Sequence, residues 1–274
     1  LETEANNSTI TDYFADVRLS RQEARDSAVG LLQEAMAYGT QEETQTSAKQ
    51  LENIVQIAGG GKFSLALAED GTLWGWGNNE NHEISPSNEQ HFSTPVKIDY
   101  GDIEIAYIDA CGHSVVLLDT EGTLWTWGRN DSHQLGYDTN HKTTSAPQAV
   151  PLPLPVKYVA AYSSQTYAIL EDGSLWSWGN NSYGQLGHGF RSSATEGVLP
   201  AKVWDKDVVL VQGGSLFCLA MLSDGTVLSA GISKFGQQGE GTADSKYAMV
   251  LTIEMILIGD KINICFFKTF LVIV

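Results

Sequence analysis

Four times along the chain a short run of alternating apolar and polar positions is set between glycines. The clearest copy runs from Glu171 to Gly187. Asp172-Gly173 signals a tight hairpin turn, because glycine accepts positive φ at no steric cost. Alternation then assigns Leu175 to one face of an extended segment and Trp176 and Trp178 to the other, and the run is too short for a helix. Gly179-Asn180-Asn181 breaks the strand. Tyr183-Gly184-Gln185-Leu186-Gly187 forms a second, glycine-rich turn.

Related runs begin at Asp70, Glu121 and Asp224, the last a weak copy in which Leu228 and Ala230 stand where the others carry tryptophan. The turn glycines Gly71, Gly122, Gly173 and Gly225 are spaced by 51, 51 and 52 residues. A fixed period of this length with four short strands per unit predicts a β-propeller, one blade per repeat. Pro95, Pro147 and Pro200 fall in the outermost strand of their units, where a missing N–H does no harm. The expected blades are 55–103, 104–156, 157–207 and 208–259, with a partial fifth at 260–274. The apolar tail is too short for a membrane span and contains Lys268. Ile262 and Cys265 repeat the spacing of Ile108 and Cys111, so the tail reads as the opening of that fifth blade, with its turn glycine due just beyond Val274. Residues 1–54 read as a separate helical segment. One helix is predicted over 13–38, with a capping box at Ser20–Glu23 and a stop at Gly39, and a shorter one over Thr46–Ile54. The fold class expected is therefore mainly β, a propeller of four-stranded blades preceded by a short α-helical segment.

The Asp-Gly, Trp-Gly and Gln-Leu-Gly elements, recurring together at this spacing over about 55–274, resemble regulator of chromosome condensation type repeats in their bacterial form. That resemblance implies a seven-bladed propeller in complete members, hence a fragment here, and it implies no single activity. Thr11–Ala35 resembles the segment after the membrane anchor in the stage III sporulation protein AH family. This second resemblance implies an extracytoplasmic or cell-envelope location in a spore-forming bacterium.

Charge narrows the functions. The chain carries a formal −17, of which −6 lies in residues 1–56 and −11 in the remainder. Such a surface repels nucleic acid and anionic lipid. The three cysteines, Cys111, Cys218 and Cys265, make no disulfide framework. Cys111 and Cys218 are expected in buried inner strands, as inert core. None of the six histidines forms a metal-binding pair by spacing, and His113 is expected to make a structural hydrogen bond. Gly59-Gly60-Gly61 lacks the residues of a phosphate loop, and no nucleophile motif is present. Neither cofactor nor metal is expected, and the chain is not expected to be an enzyme.

The paired tryptophans, Trp74 and Trp76, Trp125 and Trp127, Trp176 and Trp178, share a strand face within each pair. They suit either packing between blades or an aromatic binding platform. Binding is expected where the copies differ, in loops on a rigid scaffold. The candidate partner-contacting residues are Asn78, Asn79 and His82, then Arg129, Asn130 and His133, then Asn180, Asn181 and Tyr183. The expected function is a non-enzymatic protein-interaction scaffold with a protein partner. The alternative is a passive spacer connected with sporulation, with the helical segment as anchor or oligomerisation element. Open blade edges would also favour self-association.

Overall fold

The computed structural model describes residues 51–139, 141–193, 196–239 and 243–253. Four antiparallel, four-stranded sheets follow one another, each ordered as in the sequence. The first contains β1 (Ile54–Gly59), β2 (Phe63–Ala68), β3 (Leu73–Asn78) and β4 (His91–Lys97). The second contains β5 (Ile105–Cys111), β6 (Ser114–Asp119), β7 (Leu124–Arg129) and β8 (Thr143–Ala149). The third contains β9 (Val156–Tyr162), β10 (Gln165–Leu170), β11 (Leu175–Gly179) and β12 (Val198–Trp204). The fourth contains β13 (Val208–Gly213), β14 (Phe217–Leu222), β15 (Val227–Gly231) and β16 (Lys246–Ile253). β1 lies beside β5, β5 beside β9, and β9 beside β13, so the first strand of every sheet is innermost. The proline-bearing strands β4, β8 and β12 are outermost, as expected.

The turn between the second and third strands is fixed by a carboxylate and a glycine. Asp70, Asp172 and Asp224 accept hydrogen bonds from the backbone N–H of Thr72, Ser174 and Thr226 at 2.8–2.9 Å. Bonds from Thr72 and Ser174 hold the Asp70 and Asp172 carboxyls below their ordinary range. The second sheet has Glu121 at this place, and Asp119, two residues earlier, substitutes. It accepts from the N–H groups of Glu121 and Thr123 and from Trp125 Nε1. Burial pushes the Asp119 carboxyl up, but these donors outweigh it and leave it lowered.

A second glycine is obligatory after each third strand. Gly77, Gly128, Gly179 and Gly231 have φ between 103° and 110°. A Cβ there would lie 2.3–2.6 Å from the carbonyl oxygen of Lys62, His113, Ser164 or Leu216. Only glycine combines that angle with that approach.

Alternation within the strands gives each sheet two apolar faces. Leu117 and Val115 pack toward the first sheet, with Leu65 and Leu73. Val116 and Leu118 pack toward the third, with Ala168 and Leu170. Between the third and fourth sheets lie Tyr167, Ile169, Leu175, Val211, Leu228 and Met249. Trp125, Trp127, Trp176 and Trp178 belong to these seams. Trp127 and Trp178 are buried, and each indole N–H donates backward to the preceding sheet, to Glu83 O at 2.9 Å and Gln134 O at 3.1 Å. Of the two readings open to these residues, inter-blade packing is the one the burial selects.

One expectation is corrected. Leu51–Asn53 is a turn and Ile54 opens β1, so no helix runs to Ile54. The β1–β2 ladder takes the apolar spacing at this point, pairing Ile54 with Ala68. Cys218 lies in β14, the second strand of its sheet, whereas Cys111 ends the innermost β5. Both thiols are buried, which pushes them up to about 12 and leaves them unreactive. The expected helix over 13–38, the sporulation-like stretch Thr11–Ala35, Cys265 and the partial fifth blade lie outside the described residues.

Candidate functional site

The loops after β3, β7, β11 and β15 share one turn that satisfies its own backbone. In each, an N–H donates to a side-chain oxygen two residues on. Asn81 N–H reaches Glu83 Oε2, Ser132 reaches Gln134 Oε1, Tyr183 reaches Gln185 Oε1 and Phe235 reaches Gln237 Oε1, all at 2.8–3.0 Å. The residue between has positive φ in every copy: His82 (60°), His133 (56°), Gly184 (72°) and Gly236 (75°). In the third and fourth loops the tip residues, Tyr183 and Phe235, are exposed, whereas Asn81 Nδ2 donates to Glu83 Oε1 at 3.0 Å and Ser132 is buried.

An asparagine closes the other side. Asn79 Oδ1 accepts from Ile84 and Ser85 N–H, and its Nδ2 donates to Ser85 O and Glu89 O. Asn130 accepts from Leu135 N–H and donates to Tyr137 O, and Asn181 accepts from Leu186 N–H and donates to Phe190 O. These three candidate residues are thus buried clamps that shape their loops. The surface of those loops is formed by their neighbours. Arg129 pairs with Asp131. Burial raises the Asp131 carboxyl, and bonds from Arg129 and Gln134 lower it further than that. His133 Nε2 lies 3.6 Å from Asp138 Oδ1. Asn78 and Asn180 cap the backbone at Glu80 and Ser182. His82 is half-buried and Tyr183 is exposed. The nine residues therefore form three separate loop groups, one per sheet. His113, in the β5–β6 turn, sits 3.2 Å from the fully buried Glu83 carboxylate and ties the first loop to the second sheet.

A fourth feature escapes the sequence pattern. The blade-three loop lies against the start of β16. His188 bridges to Ala248, and Gly189 N–H donates to Tyr247 O at 2.7 Å. The His188 and Phe190 rings are 5.7 Å apart, and the Arg191 guanidinium stands 5.2 Å above the Tyr247 ring. Tyr183, Phe190, Phe235 and Tyr247 are all exposed here, Phe235 at 91%. Phe235 is readable from its register with Tyr183. Tyr247 is not, because it lies beyond the repeated signature.

The innermost strands enclose a groove of about 1200 Å³. Its polar side chains are occupied in joining sheets: Gln56 exchanges hydrogen bonds with Ala106 O and Ile108 N–H, Asp109 accepts from Ala161 N–H, and Gln212 bonds to Tyr158 and Tyr162. Among the described residues no group of three or more His, Cys, Asp or Glu is arranged to hold a metal, and no helix is long and apolar enough to cross a membrane.

The family profiles for the regulator of chromosome condensation (RCC1) repeat match residues 54–83 and 156–185, and 121–169 and 172–221. The chain carries RCC1 repeats. It is 33% identical over 208 residues to the human E3 ubiquitin-protein ligase HERC2, covering 70% of this chain and 4% of that protein. It is also 33% identical over 207 residues to the ultraviolet-B receptor UVR8 of Arabidopsis thaliana, covering 72% of this chain and 46% of UVR8. Among solved structures, Prp20p from Saccharomyces cerevisiae superposes with a TM-score of 0.63 at 21% identity, over 73% of this chain and 50% of Prp20p. Human WBSCR16 gives 0.62 at 18% identity, over 74% of this chain and 53% of that one. The chain thus spans about half the length of UVR8, Prp20p and WBSCR16. The repeats and the superpositions agree on an RCC1-like propeller.

Proposed function

We propose that the chain is a non-enzymatic protein-binding scaffold that contacts its partner through the loops after the third strand of each blade. The observation that carries this reading is the self-satisfied turn. Four loops hold one backbone shape with their own Gln or Glu and Asn or Ser side chains, while the tip residues differ. A rigid frame with variable tips is the usual equipment of a recognition surface. Prp20p has binding properties toward Gsp1p and histones, so a propeller of this kind can take a protein ligand. On this reading Asn78, His82, Arg129, His133, Asn180 and Tyr183 contribute contacts, and Asn79, Asn130 and Asn181 keep the loops in shape.

The test is cross-linking from unnatural photoreactive residues at Asn81, His133, Tyr183 and Phe235 in lysate of the source organism. A discrete partner band from at least one tip, absent from a probe on the opposite end at Asp172, is expected. Equal cross-linking from both ends would overturn the reading. The alternative, a spacer at a sporulation envelope, rests on the resemblance of Thr11–Ala35 and predicts no tip-specific band.

A further inference from the structure

The aromatic rim of the third and fourth blades carries two exposed cations, Arg191 and Lys234. The chain carries a formal −17. Yet Arg191 and Lys234, both exposed on this rim, have no carboxylate partner among the described residues. On the second blade, by contrast, the loop cation Arg129 is neutralised by Asp131. Lys234 itself occupies the register position held by Glu80 and Asp131 in the first two blades. The Arg191 guanidinium is instead held on the Tyr247 ring. Stacking fixes its plane, and among the described residues none accepts from its N–H donors, the arrangement that receives a carboxylate in a forked pair. On the same loop Phe190 is 50% exposed and Tyr183 41%, and on the loop of the next blade Phe235 is 91% exposed. Exposed apolar rings in such a cluster mark contact surface.

Resting on the scaffold reading above, we infer that this rim is the docking site for an acidic segment of a partner protein, in which Asp or Glu alternates with aromatic or large aliphatic residues. The carboxylates pair with Arg191 and Lys234, and the apolar side chains cover Phe190, Phe235 and Tyr183. Nucleic acid also offers anions and rings. Its continuous phosphate charge meets the repulsion of the whole acidic chain, whereas a short peptide carries only the few charges that the rim can pair.

The test is selection of a random peptide library on the full chain, with binding of the recovered peptides measured by fluorescence anisotropy. Peptides rich in Asp or Glu beside Phe, Trp or Leu are expected. Arg191→Glu should weaken them about tenfold or more, the loss of one charge-assisted contact plus the repulsion that replaces it. Phe235→Ser should weaken them about fivefold by removing apolar contact. Both positions are exposed, so both variants should melt with the parent. Lys97→Ala, an exposed cation on the outer strand of the first blade, should leave binding unchanged. The inference is overturned if the recovered peptides are not acidic, if nothing is recovered, if Arg191→Glu binds as the parent does, or if a single-stranded DNA oligonucleotide competes at this rim more tightly than the peptides. Should the peptides fail while the tip cross-links persist elsewhere, the scaffold reading stands and only this rim's assignment falls.

Discussion

At the seam between the second and third sheets, Trp178 reaches back and closes the contact. At the next seam Ala230 occupies the equivalent place and cannot. The two seams are nevertheless filled alike. A Cβ placed on Gly136 would lie 2.9 Å from Trp178 Nε1, and one placed on Gly187 would lie 2.9 Å from Met249 Sδ. The loop carbonyl that Trp178 satisfies at Gln134 has its counterpart at Gln185, where Tyr167 Oη donates instead at 2.9 Å. A propeller seam requires volume and a donor at defined places. It does not require that one tryptophan supply both.

The sharpest way to break this comparison is Trp178→Ala. It removes a fully buried indole and the shorter of two bonds to Gln134 O, leaving only Thr166 Oγ1 at 3.3 Å, and should cost about 3–5 kcal/mol in urea unfolding. A loss under about 1 kcal/mol would mean the seam is not closed by the indole. The reciprocal change, Ala230→Trp, should destabilise by about 1–3 kcal/mol through overpacking against Met249. Adding Met249→Ala should recover part of that loss, and absence of coupling in the double-mutant cycle would disprove the exchange of roles.

The loops give the next effect. Asn181→Ala removes both an acceptor for Leu186 N–H and a donor to Phe190 O, and should cost about 1–3 kcal/mol. Ser233→Ala, with one longer bond from Gln238 N–H, should cost about 1 kcal/mol or less. Equal losses in thermal melts would deny the clamp.

The smallest effect separates the seams by pH. Burial lowers the His188 imidazole from 6.5, partly opposed by the Ser177 carbonyl. The unfolded chain therefore takes up the proton first as pH falls, and stability declines through and below the ordinary histidine value. Between about pH 7.5 and about pH 5.5 the parent should lose more melting temperature than His188→Gln. The lowered carboxylates Asp70, Asp119, Asp131 and Asp172 act only at lower pH.

The repeat is legible in the sequence because Asp-Gly turns and Trp-Gly breaks are local events that a 51-residue spacing makes visible. The role of the tryptophans is not, since alternation puts Trp176 and Trp178 on one strand face whether that face meets solvent or another sheet. Asn79, Asn130 and Asn181 look like loop surface by polarity. Only their hydrogen bonds show that they face inward. The aromatic rim depends on Tyr247 arriving beside Gly184 and Gly189, a contact between sheets that no local pattern encodes.

The tip turn has one more consequence. Its shape is dictated by the residue two places later and by the asparagine or serine behind it, so an exposed tip side chain such as Tyr183 or Phe235 is uncoupled from the fold. Evolution or a protein engineer can rewrite those two one at a time, like type set in a fixed frame, and give one scaffold many addresses.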